Sequence, residues 1–400
     1  MQTVFASYLV TLLLGLGIGL NIYLQAYHTV ILTESLAFSL CNFLLALLVK
    51  GWLARGIMQA SVVGLVAGSM FAFRPALASF VVVLLVALPL FNAGVLGKTL
   101  RNIIGYLLSV MVVLSLESAI YFSHHSERQS LSSLTLLGKG AILTTYADFK
   151  YPTLSEHQNR WLKEIDRGLH PVQLWLESDE SFILKTSLRS NFEVFAQYQL
   201  INMIASEQKL SPLSDEEFAQ LGMAAVRTNP YLYLKSSLHH LYGLWLAHEV
   251  SFLRLAYDQK LPLFENSRLN SALPGQQNGH AIFSVEAKSD IALLSFFVFP
   301  AFLLLGIASL GLAAGFWLFL GLRTVRGQLS SVSNDVLVIA LLLLLRWSNL
   351  VLVASANIAT PRYLMPNMPF FILAFLLFLK LSLLTIAKNK GRIKLETDKH

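Results

Sequence analysis

Residues 335–355 read DVLVIALLLLLRWSNLVLVAS, an unbroken apolar run whose ionisable groups are Asp335 at its edge and Arg346 in its middle. Wound as an α-helix, about 20 such residues span about 30 Å, the thickness of a bilayer's hydrocarbon core, so the run predicts a transmembrane helix. Working outward, further runs of the same kind fall at about 4–24, 30–49, 57–74, 76–96, 102–122, 290–321 and 365–386. Between the fifth and sixth lies the segment 123–289, which holds most of the Asp and Glu and is long enough for one soluble domain. The expected fold class is therefore all-α, a polytopic membrane protein of about eight transmembrane helices with a mainly helical extracytoplasmic domain between helices five and six. Its expected parts are a membrane domain at 1–122, the soluble domain at 123–289, a second membrane domain at 290–387 and a basic tail at 388–400.

Composition agrees with that division. Of 400 residues, 55% are hydrophobic and 13% charged, where ordinary soluble domains carry about 45–50% and about 25%. A soluble enzyme fold is excluded for the chain as a whole. The net charge of +7 sits at the ends of apolar runs, which is what membrane orientation requires and which removes the case for a nucleic-acid partner. Lys50 and Arg55, Lys98 and Arg101, Arg323 and Arg326, then Lys388, Lys390, Arg392 and Lys394 fall in alternate loops, so both termini are expected in the cytoplasm. The first run lacks a basic leader and a small-x-small cleavage site, so it is expected to stay in the membrane. The single cysteine, Cys41, allows no intrachain disulfide.

Within 123–289, Ser214-Asp215-Glu216-Glu217 matches a capping box, followed by the apolar Phe218, Leu221 and Ala225 of a helix that Asn229-Pro230 should break. Tyr231 to about Leu255 is amphipathic and rich in Leu, Tyr and Trp, the composition of a helix lying on a membrane surface. Residues 267–279, with Pro274, Gly275 and Gly279, read as the return to the membrane.

Several motifs have plain readings. Gly15, Gly17 and Gly19 mimic a dinucleotide fingerprint, but they sit inside a membrane run with no preceding strand. Gly64 with Gly68, and Gly311 with Gly315, carry the spacing that lets helix backbones approach closely within one chain. His240 and His248 are about 12 Å apart along a helix, too far for one metal ion, so no metal site is assigned.

Ionisable residues inside apolar runs are costly unless paired or turned to a polar cavity. Four stand out: Arg346 in mid-span, Glu117 near the outer end of the fifth run, Glu34 near the outer end of the second, and Arg74 at the outer end of the third. They are too few for an ion-coupled relay, which weighs against a transporter or lipid flippase. Glu34, Arg74 and Arg362 are expected on the same face, on three different helices. Arginines that clamp phosphate oxygens while a lipid tail stays in hydrocarbon would suit a phosphate-bearing lipid.

Ile31-Leu32-Thr33-Glu34-Ser35-Leu36, Gly64 to Gly68 running into Phe73-Arg74-Pro75, Arg227-Thr-Asn-Pro-Tyr-Leu-Tyr-Leu followed by Leu244-Trp245, and Pro361-Arg362-Tyr363-Leu364-Met365-Pro366-Asn367-Met368-Pro369 occur in that order. Together they resemble the GT-C superfamily of membrane glycosyltransferases, in its protein mannosyltransferase and aminoarabinose transferase branches. The resemblance covers about two thirds of the chain and implies a polyprenyl-phosphate sugar as donor and an extracytoplasmic glycan, lipid or protein as acceptor. It implies hexosyltransferase-type activity at a bacterial inner membrane, and 123–289 contains no Asn-x-Ser/Thr acceptor. On the same resemblance, Arg74, Arg362 and Tyr363 would face the lipid phosphate and Glu34 would be the catalytic carboxylate. Arg346 and Glu117 are left as intramembrane charges without a role, and no cofactor is implied beyond a divalent cation left open. Members usually open with further helices and an acidic first external loop, whereas Gln25 to Val30 has no carboxylate. A shortened relative is therefore included in the expectation. The alternative is a non-catalytic membrane protein whose external domain binds a partner in envelope polysaccharide assembly.

Overall fold

The structure is a computed structural model that describes residues 33–92, 95–124, 136–137, 139, 154–177, 201, 204–205, 210–228, 230–257, 289–356 and 368–397. Every regular element among them is helical. In chain order these are α1 (Thr33–Val49), the short α2 (Trp52–Arg55), α3 (Ile57–Phe73), a 3-10 turn (Pro75–Leu77), α4 (Ala78–Phe91), α5 (Leu96–His124), α6 (Glu156–Glu177), α7 (Asp215–Thr228), α8 (Pro230–Tyr257), α9 (Ser289–Val325), α10 (Asn334–Ala356) and α11 (Met368–Thr397), with a further 3-10 turn at Leu329–Ser331. Four stretches, Leu96–Ile120, Ile307–Val325, Asn334–Ala356 and Pro369–Ile386, are long and apolar enough to cross a membrane. Leu36–Val49, Ile57–Phe73 and Pro75–Phe91 are shorter apolar helices. The run at 4–24 lies outside the described residues.

The chain divides into two compact units. The first comprises Met1–His125, Ile307–Asn349 and Arg362–His400. Leu44, Leu48, Met70, Leu84, Leu342, Leu345, Phe370 and Leu373 pack there in one buried cluster. Phe80 meets Phe370 edge to face with ring centroids 5.3 Å apart, which joins α4 to α11.

The tightest packing in this unit is α3 along α5, and small residues permit it. A Cβ on Gly64 would lie 2.5 Å from the Tyr106 carbonyl oxygen, and one on Gly105 would lie 2.6 Å from Ile57 Cγ1. Gly68 faces Val110 and Val113 at 3.2 Å. Because Gly64 meets Tyr106 and Gly68 meets Val110, the two helices run parallel, each contact one turn beyond the last. Where lipid tails surround a helix, burial from water drives no association, so backbone proximity of this kind is what holds a pair.

The second pair of glycines behaves differently. A Cβ on Gly311 or Gly315 would meet nothing within 4 Å, so the expectation of internal packing fails at that site. Among the described residues no opposing line of small residues meets this Gly-x-x-x-Gly spacing. Helix ends also depart from the apolar runs. α5 starts at Leu96 rather than at 102, and α11 continues through the expected basic tail to Thr397. Lys and Arg are good helix formers, so a helix outlasts the hydrophobic stretch that marks its membrane portion.

The second unit comprises Ser126–Gly306 and Leu350–Pro361. Its α7 begins with the expected capping box: Ser214 Oγ accepts from the Glu217 amide at 3.2 Å, while Glu217 accepts from the Ser214 amide at 2.9 Å. A second box opens α6, where Ser155 Oγ accepts from the Gln158 amide and Gln158 Oε1 accepts from the Ser155 amide. Gln158 Nε2 then donates to Gln220 Oε1 at 3.0 Å, and the buried Trp161 stands edge-on to Phe218 while donating to the Ser211 carbonyl. α7 is described to Thr228 and α8 from Pro230; the expected break falls on Asn229, which lies outside the described residues.

Gly64→Val should overlap the Tyr106 carbonyl and destabilise the solubilised protein by about 1–3 kcal/mol, the usual range for overpacking. Gly311→Ala should leave the thermal midpoint unchanged or slightly raised. Thermal unfolding of both variants in one detergent checks the pair.

Candidate functional site

Arg74 stands at the joint between two apolar helices because Pro75 follows it. A residue before proline is pushed out of the helical region, and Arg74 accordingly has φ −147° and ψ 94°. Its amide still closes α3 by donating to the Met70 carbonyl at 2.9 Å, and its carbonyl accepts from Leu77 at 2.9 Å to start the 3-10 turn. The backbone thus breaks and restarts within four residues. The side chain is only 5% exposed.

The broken turn leaves carbonyls that no helix satisfies, and α10 supplies a partner. Asn349, fully buried, donates from Nδ2 to the Ala76 carbonyl. Arg346 lies three residues earlier, on the same face of α10, and is 7% exposed. The mid-span arginine singled out in the sequence is therefore carried by the helix bonded to the Arg74 turn, and Asn349 makes the junction.

Glu117 joins the same level by register. The parallel contacts of Gly64 with Tyr106 and of Gly68 with Val110 and Val113, extended about two turns, bring the end of α3 opposite Glu117. Glu117 is half-buried on α5. Within the first unit, Asn349 thus meets the turn that follows Arg74, while Arg346 on α10 and Glu117 on α5 belong to the helices packed around it. Arginine's planar fork suits phosphate oxygens.

The other expected residues fare differently. Glu34 falls in the first turn of α1, and its side chain lies outside what the structure describes. Arg362 and Tyr363 also lie outside the described residues.

A separate polar node sits in the second unit. Lys139 Nζ, buried, donates to the Ala354 carbonyl at 3.1 Å and lies 3.1 Å from His240 Nδ1. An ammonium has only donors, so Nδ1 accepts and the ring hydrogen is on Nε2. The Tyr233 hydroxyl donates to the Ser355 carbonyl. Lys139 and Tyr233 thus place donors on the carbonyls of the last described turn of α10. No group of three His, Cys, Asp or Glu that could hold a metal ion occurs among the described residues.

Sequence reasoning missed Asn349 and Lys139. Asn349 was detectable as a carboxamide one turn from Arg346 inside an apolar run. Lys139 was not, since its carbonyl partner is 215 positions away.

No protein-family model, no curated protein and no solved structure matches the chain.

Asn349→Leu should leave the Ala76 carbonyl unpaired and cost about 1–3 kcal/mol. Ser348→Ala, which removes only a bond to its own helix at Leu345, should cost far less. Thermal unfolding of the two side by side tests whether α10 secures the Arg74 turn.

Proposed function

We propose that the chain is a GT-C-like membrane glycosyltransferase of eight membrane passes. It would move a sugar from a polyprenyl-phosphate donor to an extracytoplasmic acceptor at the bacterial inner membrane, with both termini in the cytoplasm. The observation that supports this best is Arg74, buried at a break between two apolar helices and joined through Ala76 and Asn349 to the helix that carries Arg346. Cations held at such a depth suit a lipid whose phosphate stays near the hydrocarbon boundary.

In this mechanism a carboxylate takes the acceptor's hydroxyl proton, and the resulting oxygen attacks the anomeric carbon. The bond from that carbon to the phosphate oxygen breaks, and polyprenyl phosphate leaves with the electron pair. Arg74, with Arg362 and Tyr363, stabilises the charge that develops on the leaving group. One displacement inverts the anomeric configuration. Glu34 is assigned as the base, and Asn349 holds the Arg74 turn in place.

A second reading is a non-catalytic protein whose external domain binds a partner in polysaccharide assembly, and the loop from Gln25 to Val30, which has no carboxylate, favours it. Transfer assays separate the two. Membranes holding the protein receive a labelled polyprenyl-phosphate hexose and envelope glycan. Transfer is expected, and Arg74→Ala and Arg362→Ala should each lower it by about 10²-fold, the usual cost of losing a charge-stabilising donor. Rates within about twofold of the unaltered protein for both variants would refute the phosphate assignment. No transfer by any form would favour the second reading.

A further inference from the structure

α8 is a helix turned inside out. Ser236, His240 and Leu244 are buried and Tyr233 is half-buried, all on one side. On the opposite side Tyr231, Leu234 and Leu238 are 73%, 57% and 54% exposed, and Tyr242 continues the stripe. At 3.6 residues per turn these positions form one continuous face. Lys235 shares it, and Trp245 stands edge-on to Tyr242 at 6.2 Å. A helix that packs on a soluble core hides its leucines and shows serine and histidine, whereas this one buries Ser236 and His240 beside Leu244 and exposes Leu234 and Leu238.

The inward polar groups have a reason. The Tyr233 hydroxyl bonds the Ser355 carbonyl, and His240 bonds Lys139, which bonds the Ala354 carbonyl. Tyr233 and His240 are about 10 Å apart along α8, yet they converge on adjacent residues of α10. Tyr233 reaches Ser355 directly and His240 reaches Ala354 through Lys139, so the polar side of α8 is turned toward the last described turn of α10. Since α10 is long and apolar enough to cross a membrane, its last turn marks the boundary between hydrocarbon and headgroups.

From this geometry we infer that α8 is an interfacial helix, and that its Tyr231–Tyr242 face docks onto the phospholipid surface. Leucines enter the acyl boundary, tyrosines occupy the headgroup belt, and Lys235 extends its ammonium toward lipid phosphate. The partner is the bilayer itself, because the face is held level with the end of a membrane-spanning helix. The inference is independent of any transferase activity.

The test uses the full chain in vesicles of phosphatidylethanolamine and phosphatidylglycerol. Leu238→Cys, and separately Leu234→Cys, is labelled with a nitroxide, with Glu216→Cys on α7 as the aqueous control. Cys41 is buried, and the unaltered chain carried through labelling sets its background. Collision with oxygen and with a water-soluble nickel chelate is read by power saturation. Labels at 234 and 238 should collide at least severalfold more with oxygen than with nickel, relative to 216. Nickel-dominated collision at both positions would overturn the inference by placing the face in water. Suppressed collision with both reagents would overturn it by showing a protein cover, whether a second copy or another partner.

Discussion

A carbonyl freed where a helix stops inside an apolar layer has no water to bond, and leaving it unpaired costs several kcal/mol. In each unit of this protein, side chains from distant positions meet that demand. Asn349 serves the Ala76 carbonyl at the break after Arg74. Asn92 and Asn102 both serve the Leu53 carbonyl of the short α2, and Asn102 also donates to Asn92 Oδ1 at 3.2 Å. Lys139 and Tyr233 serve the end of α10. These bonds decide which helix meets which break, since the apolar surfaces around them are nearly interchangeable.

The same constraint puts polar chemistry at the breaks. A continuous apolar helix offers a lipid-linked substrate nothing to bind. A break in one exposes backbone dipoles, and the carboxamide that repairs it already carries the desolvation cost of a polar group. An arginine beside such a repair adds charge to a place that is partly polar. Arg74 and Arg346 both occur within one turn of the Ala76–Asn349 bond in sequence, and α3 and α5 are packed closely enough to bring Glu117 to that level. The proposed phosphate site is thus tied to the architecture: Pro75 makes the break, and Asn349 fixes what crosses it.

Local signals in the sequence were good guides to local structure. Apolar runs located the described membrane-length helices, and the Ser214 box was legible because its determinants lie within a few residues of each other. The Ser155-x-x-Gln158 box has the same form and was equally legible. What could not be read was partnership. Gly64-x-x-x-Gly68 and Gly311-x-x-x-Gly315 share one spacing, yet among the described residues only the first meets another backbone, because α5 presents Gly105 and Ser109 to α3. Arg346 was visible as an oddity in a leucine run, but its neighbour across the bundle was not. Lys139 carried no local mark at all, because what keeps it buried is a helix end encoded more than 200 positions later.

The inverted face of α8 follows from the carbonyl constraint as well. Once the end of α10 needs donors, the helix that supplies them must turn its tyrosine hydroxyl and histidine inward. Helical geometry then sends the residues half a turn away outward, and in this sequence those are Tyr231, Leu234, Leu238 and Tyr242. The inward polar groups are paired within the protein in any surroundings, whereas the outward leucines are wetted in water and relieved at the bilayer surface, where they meet lipid. The residues that bond α10 and the residues proposed to face lipid therefore belong to one helix, which serves backbone on one side and bilayer on the other.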